Sequence, residues 1–219
     1  MFIELVDLLR CPRPHELAWL VVAAHRMVDR DIEEGELGCS VCGGRYPITR
    51  GVADLRGGEP GADAPPAGDP ADSGELAVRA AALLGLTDSS GVAALAGAWT
   101  RAARGVAAIT ERIHILAIDP ATQLASGGGV SLALAGTRLP LRPEAVRGIA
   151  LDAAHATPAM LESAVAALTA GGRLLVPAEV PLPAGVTEVA RDAAYWLAEK
   201  GTAAGPVVQL QVARGERAP

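Results

Sequence analysis

Cys39 and Cys42 stand in a Cys-x-x-Cys pair followed at once by Gly43 and Gly44, and the only other cysteine of the chain is Cys11. That spacing lets two thiolates face one point, and adjoining glycines can take the positive φ angles that turn backbone N–H groups toward sulfur. The same spacing serves thioredoxin-like redox chemistry, so the rest of the segment must decide. Cys11, in the punctuated run Cys11-Pro12-Arg13-Pro14-His15, precedes the pair by a hairpin-sized interval and favours metal. His15 is the natural fourth ligand, because imidazole and thiolates together close a tetrahedral zinc site. Two alternatives stay open: three small buried thiols without metal, with His15 a solvated loop residue, and His25 as a less well placed ligand. Downstream, Arg45 to Leu55 reads as a short extended segment kinked at Pro47 and turned at Gly51, which sets the knuckle at a hairpin.

The stretches LLRCPRPHELAWLVV and ELGCSVCGGRYPITRGVADL resemble the small zinc-ribbon family that activates methyltransferases of tRNA, rRNA and release factors. The tail Tyr46-Pro47-Ile48-x-x-Gly51-Val52 is its most specific part. The likeness covers about the first quarter of the chain and departs at Pro14, where a cysteine would complete a first Cys-x-x-Cys. It implies a non-catalytic folded partner that lends a strand edge and apolar surface to a methyltransferase.

The 219 residues, half of them hydrophobic, suit one ordinary domain plus a small one. A net charge of −6 and only six aromatic residues argue against direct nucleic-acid binding through basic stripes and stacking platforms. Met1 to Leu9 has no basic leader and the longest apolar run, Leu17 to Ala24, falls far short of a membrane span, so a soluble cytoplasmic protein is expected. Three cysteines in a reducing compartment fit thiolate ligation better than disulfides. Residues 57–74, rich in Pro, Gly, Ala and Asp, read as a flexible linker between a zinc-ribbon-like domain, 1–56, and a larger domain, 75–219.

From Glu75 the pattern becomes α/β: a doubly wound, Rossmann-like sheet with helices on both faces. The expected elements are helix 76–85, strand 91–96, helix 99–110, strands 113–118, 130–135 and 147–152, helix 157–169, strand 173–178, helix 186–200 and strand 206–213. Ser126 to Gly129 is read as a flexible turn, since it lacks the helix N-terminus and lysine of a phosphate loop. Gly136 to Leu141, then Gly148 to Asp152, and Leu168 to Val176 resemble the second half of a class I S-adenosylmethionine-dependent methyltransferase. In that family an acid ending the second strand holds the cofactor ribose, which places Asp119 in that role, and Gly97 stands in the turn after the first strand.

The first strand departs from the family pattern. Gly91 to Thr100 keeps one turn glycine, Gly97, lacks the strand-end acid, and brings Trp99 to the expected mouth of the pocket. Those departures imply a degenerate cofactor site. Asp152 and His155, after the fourth strand, can form an acid/base pair; alternatively Asp152 caps the next helix and His155 is a surface loop residue. His114 reads as a sheet residue. With room for a single strand after residue 200, one sheet edge is expected open, available to a protein partner, to a second copy, or to the ribbon in cis. The sequence therefore points to a non-catalytic adaptor, a pseudoenzyme carrying zinc; the alternative is an active methyltransferase with a built-in activator.

Overall fold

Successive side chains on a strand point to opposite faces, so a strand apolar at nearly every position must be buried on both. Gly91–Ala96 (β5) and Ile113–Ile118 (β6) are such strands, and in the computed structural model they lie at the centre of one eleven-stranded sheet. The structure describes residues 1–16, 19–58, 73–120 and 124–201. The other strands are Leu20–Val28 (β1), Asp31–Cys39 (β2), Arg45–Thr49 (β3), Val52–Asp54 (β4), Val130–Leu134 (β7), Val146–Ala150 (β8), Leu168–Pro177 (β9), Val186–Arg191 (β10) and Tyr195–Lys200 (β11). Their order is β1-β2-β3-β4-β7-β6-β5-β8-β9-β11-β10. Neighbours from β4 to β9 run parallel, flanked by an antiparallel meander, β1 to β4, and an antiparallel close, β9-β11-β10.

Helices Ser73–Leu83 (α1) and Ala103–Ile109 (α2) cover one face, sharing a core with Ala93, Leu95, Ile115 and Leu132. Pro158–Ala167 (α3), N-capped by Thr157, covers the other, with Met160, Leu161 and Ala164 in one core with Ile149, Leu174 and Val176. The rest of that second face is covered by the start of the chain. A 3-10 turn, Ile3–Leu8, puts Leu5 and Val6, with Leu9 beyond them, into the same core as Leu116, Ile118 and Ala133. Each such side chain contributes roughly 2 kcal/mol on burial. Backbone bonds hold the segment in place: Arg10 N–H donates to Pro140 O at 2.9 Å, and Arg142 N–H to Leu8 O at 2.8 Å. Phe2 N–H donates to Ser131 Oγ at 2.8 Å.

The ribbon-like meander joins the larger unit by strand addition. β4 pairs in parallel with β7, Val52 opposite Leu132 and Asp54 opposite Leu134, so one sheet runs through both halves. Association of ribbon and sheet in cis, expected as one possibility, thus takes the β7 edge.

Three expectations need correction. Residues 186–200 form the β10–β11 hairpin, where a helix was expected. Asp192 Oδ1 accepts the N–H groups of Ala194 and Tyr195, at 2.8 and 2.7 Å, which builds the turn. Beyond it Trp196 and Ala198 enter one core and Leu197 the other, so alternating burial against β9 outweighs the helix propensity of Ala, Leu, Glu and Lys. Second, that hairpin supplies the two closing strands, so the sheet does not stop one strand short; among the described residues its outermost strands are β1 and β10. Third, helix 99–110 opens as a 3-10 turn, Gly97–Ala102, before α2. The expected strand 206–213 and most of the expected linker 57–74 lie outside the described residues, while α1 starts at Ser73. Among the described residues no helix is long and apolar enough to cross a membrane.

Candidate functional site

Two clusters of reactive side chains occupy different parts of the sheet. The first is the knuckle. β2 ends at Cys39, and the turn to β3 is closed by Gly43 N–H to Cys39 O, 3.0 Å, and Cys39 N–H to Gly44 O, 2.9 Å. A side chain at Gly44 would have its Cβ 2.8 Å from Tyr46 Oη and 3.2 Å from Cys42 Sγ, so only glycine leaves this turn room. Cys11, His15, Cys39 and Cys42 converge with their ligand atoms all within 4.8 Å of one another. Cys11 Sγ lies 3.7 Å from Cys42 Sγ, and Cys39 Sγ 3.5 Å from His15 Nε2. A zinc tetrahedron with ordinary bond lengths has edges of about 3.8 Å between sulfurs and about 3.6 Å between sulfur and nitrogen.

The surroundings fit the same chemistry. His15 Nδ1 donates to Glu16 O at 2.5 Å, which leaves Nε2 as the lone-pair nitrogen facing the sulfurs. Tyr46, buried, has its hydroxyl 3.1 Å from Cys11 Sγ. The backbone N–H of Gly44 draws the Cys42 thiol down to about 6, whereas burial pushes the Cys11 thiol up. The Cys3His cluster is therefore compatible with zinc. His25 is exposed on β1 and takes no part in the cluster. Sequence reasoning named Tyr46 only as part of a motif; its inward place beside Ile48 on β3 was the available signal for its contact with Cys11.

The second cluster lies where the chain order reverses, between β5 and β8, at the carboxyl ends of the strands. In doubly wound sheets this is the crevice where ligands bind. Here three of the protein's own side chains, Asp119, Asp152 and His155, meet at the strand ends. Asp152, just beyond β8, accepts Ala98 N–H on Oδ2 at 2.8 Å and His155 N–H on Oδ1 at 3.1 Å. His155 Nδ1 lies 2.6 Å from Asp152 Oδ1 and its Nε2 3.3 Å from Asp119 Oδ2. Asp119 Oδ1 accepts Ala135 N–H at 3.1 Å, so both oxygens of that carboxylate are engaged. Gly97, at φ 58°, passes so close that a Cβ there would sit 2.1 Å from Asp152 Oδ2 and 2.6 Å from His155 Nδ1.

His155 is 1% exposed. Burial opposes its charge, but hydrogen bonds to Asp119 and Asp152 and their negative charges outweigh that and lift the imidazolium to about 9. Burial likewise works against the Asp152 carboxylate, and the bonds from His155 and Ala98 N–H overcome it and hold the carboxyl below its usual range. Asp119 and Gly97, expected at a cofactor, and Asp152 and His155, expected as a pair, are thus brought together in one network. Asp152 caps the short 3-10 turn 153–155 while Thr157 caps α3, and His155 is buried, where a surface position was one expectation. Trp99 is also corrected: its indole, expected at the mouth of the pocket, is 2% exposed in the core beside Tyr195, with ring centroids 5.2 Å apart.

Two other sequence candidates are structural. Arg104 donates to the carbonyls of Ala125 and Gly127, so the glycine-rich loop faces a cation and forms no anion nest. His114 stacks on Phe2, with its Nε2 3.0 Å from Ser131 Oγ, as a sheet residue.

Fold and knuckle together define a zinc-ribbon-like β unit extending a mixed α/β sheet. Residues 3–51 match the model of the Trm112p-like protein family. No curated protein sequence matches the chain. Among solved structures the chain is similar to the MycE methyltransferase of the mycinamycin biosynthetic pathway, at 8% identity and TM-score 0.46, over 61% of this chain and 49% of that one. It is also similar to the antibiotic-resistance methyltransferase Kmr, at 15% identity and TM-score 0.41, over 64% of this chain and 97% of that one. A third likeness is the Burkholderia thailandensis 1,6-didemethyltoxoflavin-N1-methyltransferase, at 16% identity and TM-score 0.40, over 61% of this chain and 80% of that one. The chain thus spans about half the length of the first of these.

Proposed function

We propose that this protein is a non-catalytic, adaptor-like fusion: a zinc-ribbon unit, 1–56, a linker, 57–74, and a degenerate methyltransferase-like unit, 75–219, acting in the cytoplasm through protein–protein contacts. Zinc is held by Cys11, His15, Cys39 and Cys42, where it closes the ribbon and does no chemistry on substrate. The observation that carries the reading is the closed network over Gly97. A nucleoside cofactor needs bare backbone in this turn and a free acid for its ribose. Here the Asp152 carboxylate lies against Gly97 and Asp119 is committed to His155 and Ala135 N–H. Admitting a ligand means breaking a buried charge network, which costs several kcal/mol.

One observation favours a second reading, an active S-adenosylmethionine-dependent methyltransferase with a built-in activator: β10 and β11 complete the antiparallel end of the sheet. In that case Gly97 and Asp119 bind the cofactor after Asp152 and His155 move aside. Titration calorimetry of the zinc-replete protein with S-adenosylmethionine and S-adenosylhomocysteine separates the two. The adaptor reading expects no heat of binding at millimolar ligand; micromolar affinity would replace it with the enzyme.

A further inference from the structure

The ribbon's first loop and the segment after β7 face each other across a cleft of about 420 Å³ that neither half makes alone. Arg10, Arg13 and Arg138 line it, and no aspartate or glutamate stands among its described lining residues. On a chain of net charge −6, that is a local concentration of cations, set beside the knuckle's Cys11 and His15, which also line the cleft. Arg10 is 6% exposed, and its Nη1 donates to neutral acceptors, Leu9 O at 2.6 Å and Asp7 O at 3.0 Å. Its guanidinium lies 3.9 Å from the centroid of the Trp19 ring. A buried cation held by carbonyls and a π-face keeps its charge, and low-dielectric walls focus that charge into the cleft. Among the described residues Arg138 is ion-paired with Glu162 at 3.0 Å, an exposed pair that a ligand carboxylate can exchange at little cost. Leu139, Leu141, Pro140 and Pro143 make the remaining wall apolar.

We propose that this cleft binds an acidic, extended polypeptide segment, its carboxylates meeting Arg13 and Arg138 and its apolar side chains lying on the Leu139–Pro143 wall. Planar guanidinium groups suit carboxylates as bidentate donors, and a proline-rich wall offers the extended chain a surface with few competing N–H groups. A nucleic-acid strand fits less well: the only aromatic ring among the described lining residues is the imidazole of His15, which belongs to the knuckle cluster. The proposal names the chemistry of the partner and rests on the adaptor reading only for the partner's being a protein.

The test is fluorescence anisotropy on the full-length, zinc-replete protein with three labelled probes: a Glu-Leu-Pro repeat peptide, its Gln-Leu-Pro counterpart, and a single-stranded RNA of equal length. The expected result is binding of the glutamate peptide alone, weakening as salt rises. Arg138→Glu and Arg13→Glu, each checked for full zinc content, weaken it by at least about tenfold. Arg79→Glu, on the far side of the sheet beside Asp192, leaves it unchanged. Equal loss in all three variants, tighter binding of RNA, or no binding of the glutamate peptide overturns the proposal. Peptide silence alongside calorimetric silence toward S-adenosylmethionine removes the cleft and leaves the adaptor reading standing.

Discussion

In the knuckle, three sulfurs and one imidazole nitrogen converge, and all four are electron-pair donors once the thiols ionise. In the crevice at β5 and β8, the groups that meet are already complementary: two carboxylates, an imidazolium and backbone N–H donors satisfy one another. Four converging donors repel unless a cation joins them, whereas a matched buried network resists any ligand that would break it. The same residue types, Asp and His at a strand end, can therefore mark either a site or its closure. Which of the two holds depends on whether their hydrogen-bonding capacity is used within the chain.

The sharpest way to break the contrast is to disable the knuckle. Cys39→Ser is expected to abolish stoichiometric zinc and unfold the ribbon, since structural zinc contributes on the order of 10 kcal/mol of folding free energy. Mass spectrometry of bound metal and limited proteolysis of β1 to β3 would read both; zinc retained at one equivalent would discredit the assignment. Next comes His155→Ala, which strands Asp119 and Asp152 without their cation and should cost about 3 kcal/mol in denaturant unfolding. Adding Asp152→Ala should cost less than the sum of the two single changes, and strict additivity would mean that the network is not one unit. The same network has a pH signature. Because folding raises the His155 pKa to about 9, its stabilisation is complete below the unfolded value of about 6.5 and fades as pH rises through 9. A denaturation midpoint that stays level over that window in the wild type would contradict the ion pairing.

Gly97→Ala should cost about 2 kcal/mol, because the new methyl group meets Asp152 and the backbone is left-handed. A neutral outcome would indicate that the crevice has slack. The smallest effect is expected from Tyr46→Phe, which removes the hydroxyl beside Cys11 and should weaken zinc binding by about tenfold in a competition titration while leaving the fold intact. Unchanged affinity would confine that hydroxyl to packing.

Much of this was legible in the residues. The limits of β5 and β6 follow from runs that are apolar but for His114, beginning at Gly91 and Ile113, and the convergence of four side chains follows from Cys11, His15 and the Cys-x-x-Cys spacing. The 186–200 segment misled because Ala, Leu, Glu and Lys favour a helix locally, and the competing advantage, pairing with β9, lies outside any local window. Trp99 misled for a related reason. Its position after the first strand was readable, but its burial in a core that includes Tyr195, nearly a hundred residues away, was not.

What the sequence determined by itself was the list of parts: a knuckle that can hold metal, parallel strands buried on both faces, and acids and a histidine at strand ends. Those depend on spacing and on the alternation of side chains, both local properties of the chain. Tertiary structure alone decided how the parts meet. It joined β4 to β7 in one sheet, laid Ile3 to Leu9 over the second face, and set His155 between Asp119 and Asp152. Contacts between residues far apart in the chain are selected by the core they bury together, and no stretch of sequence carries that balance alone.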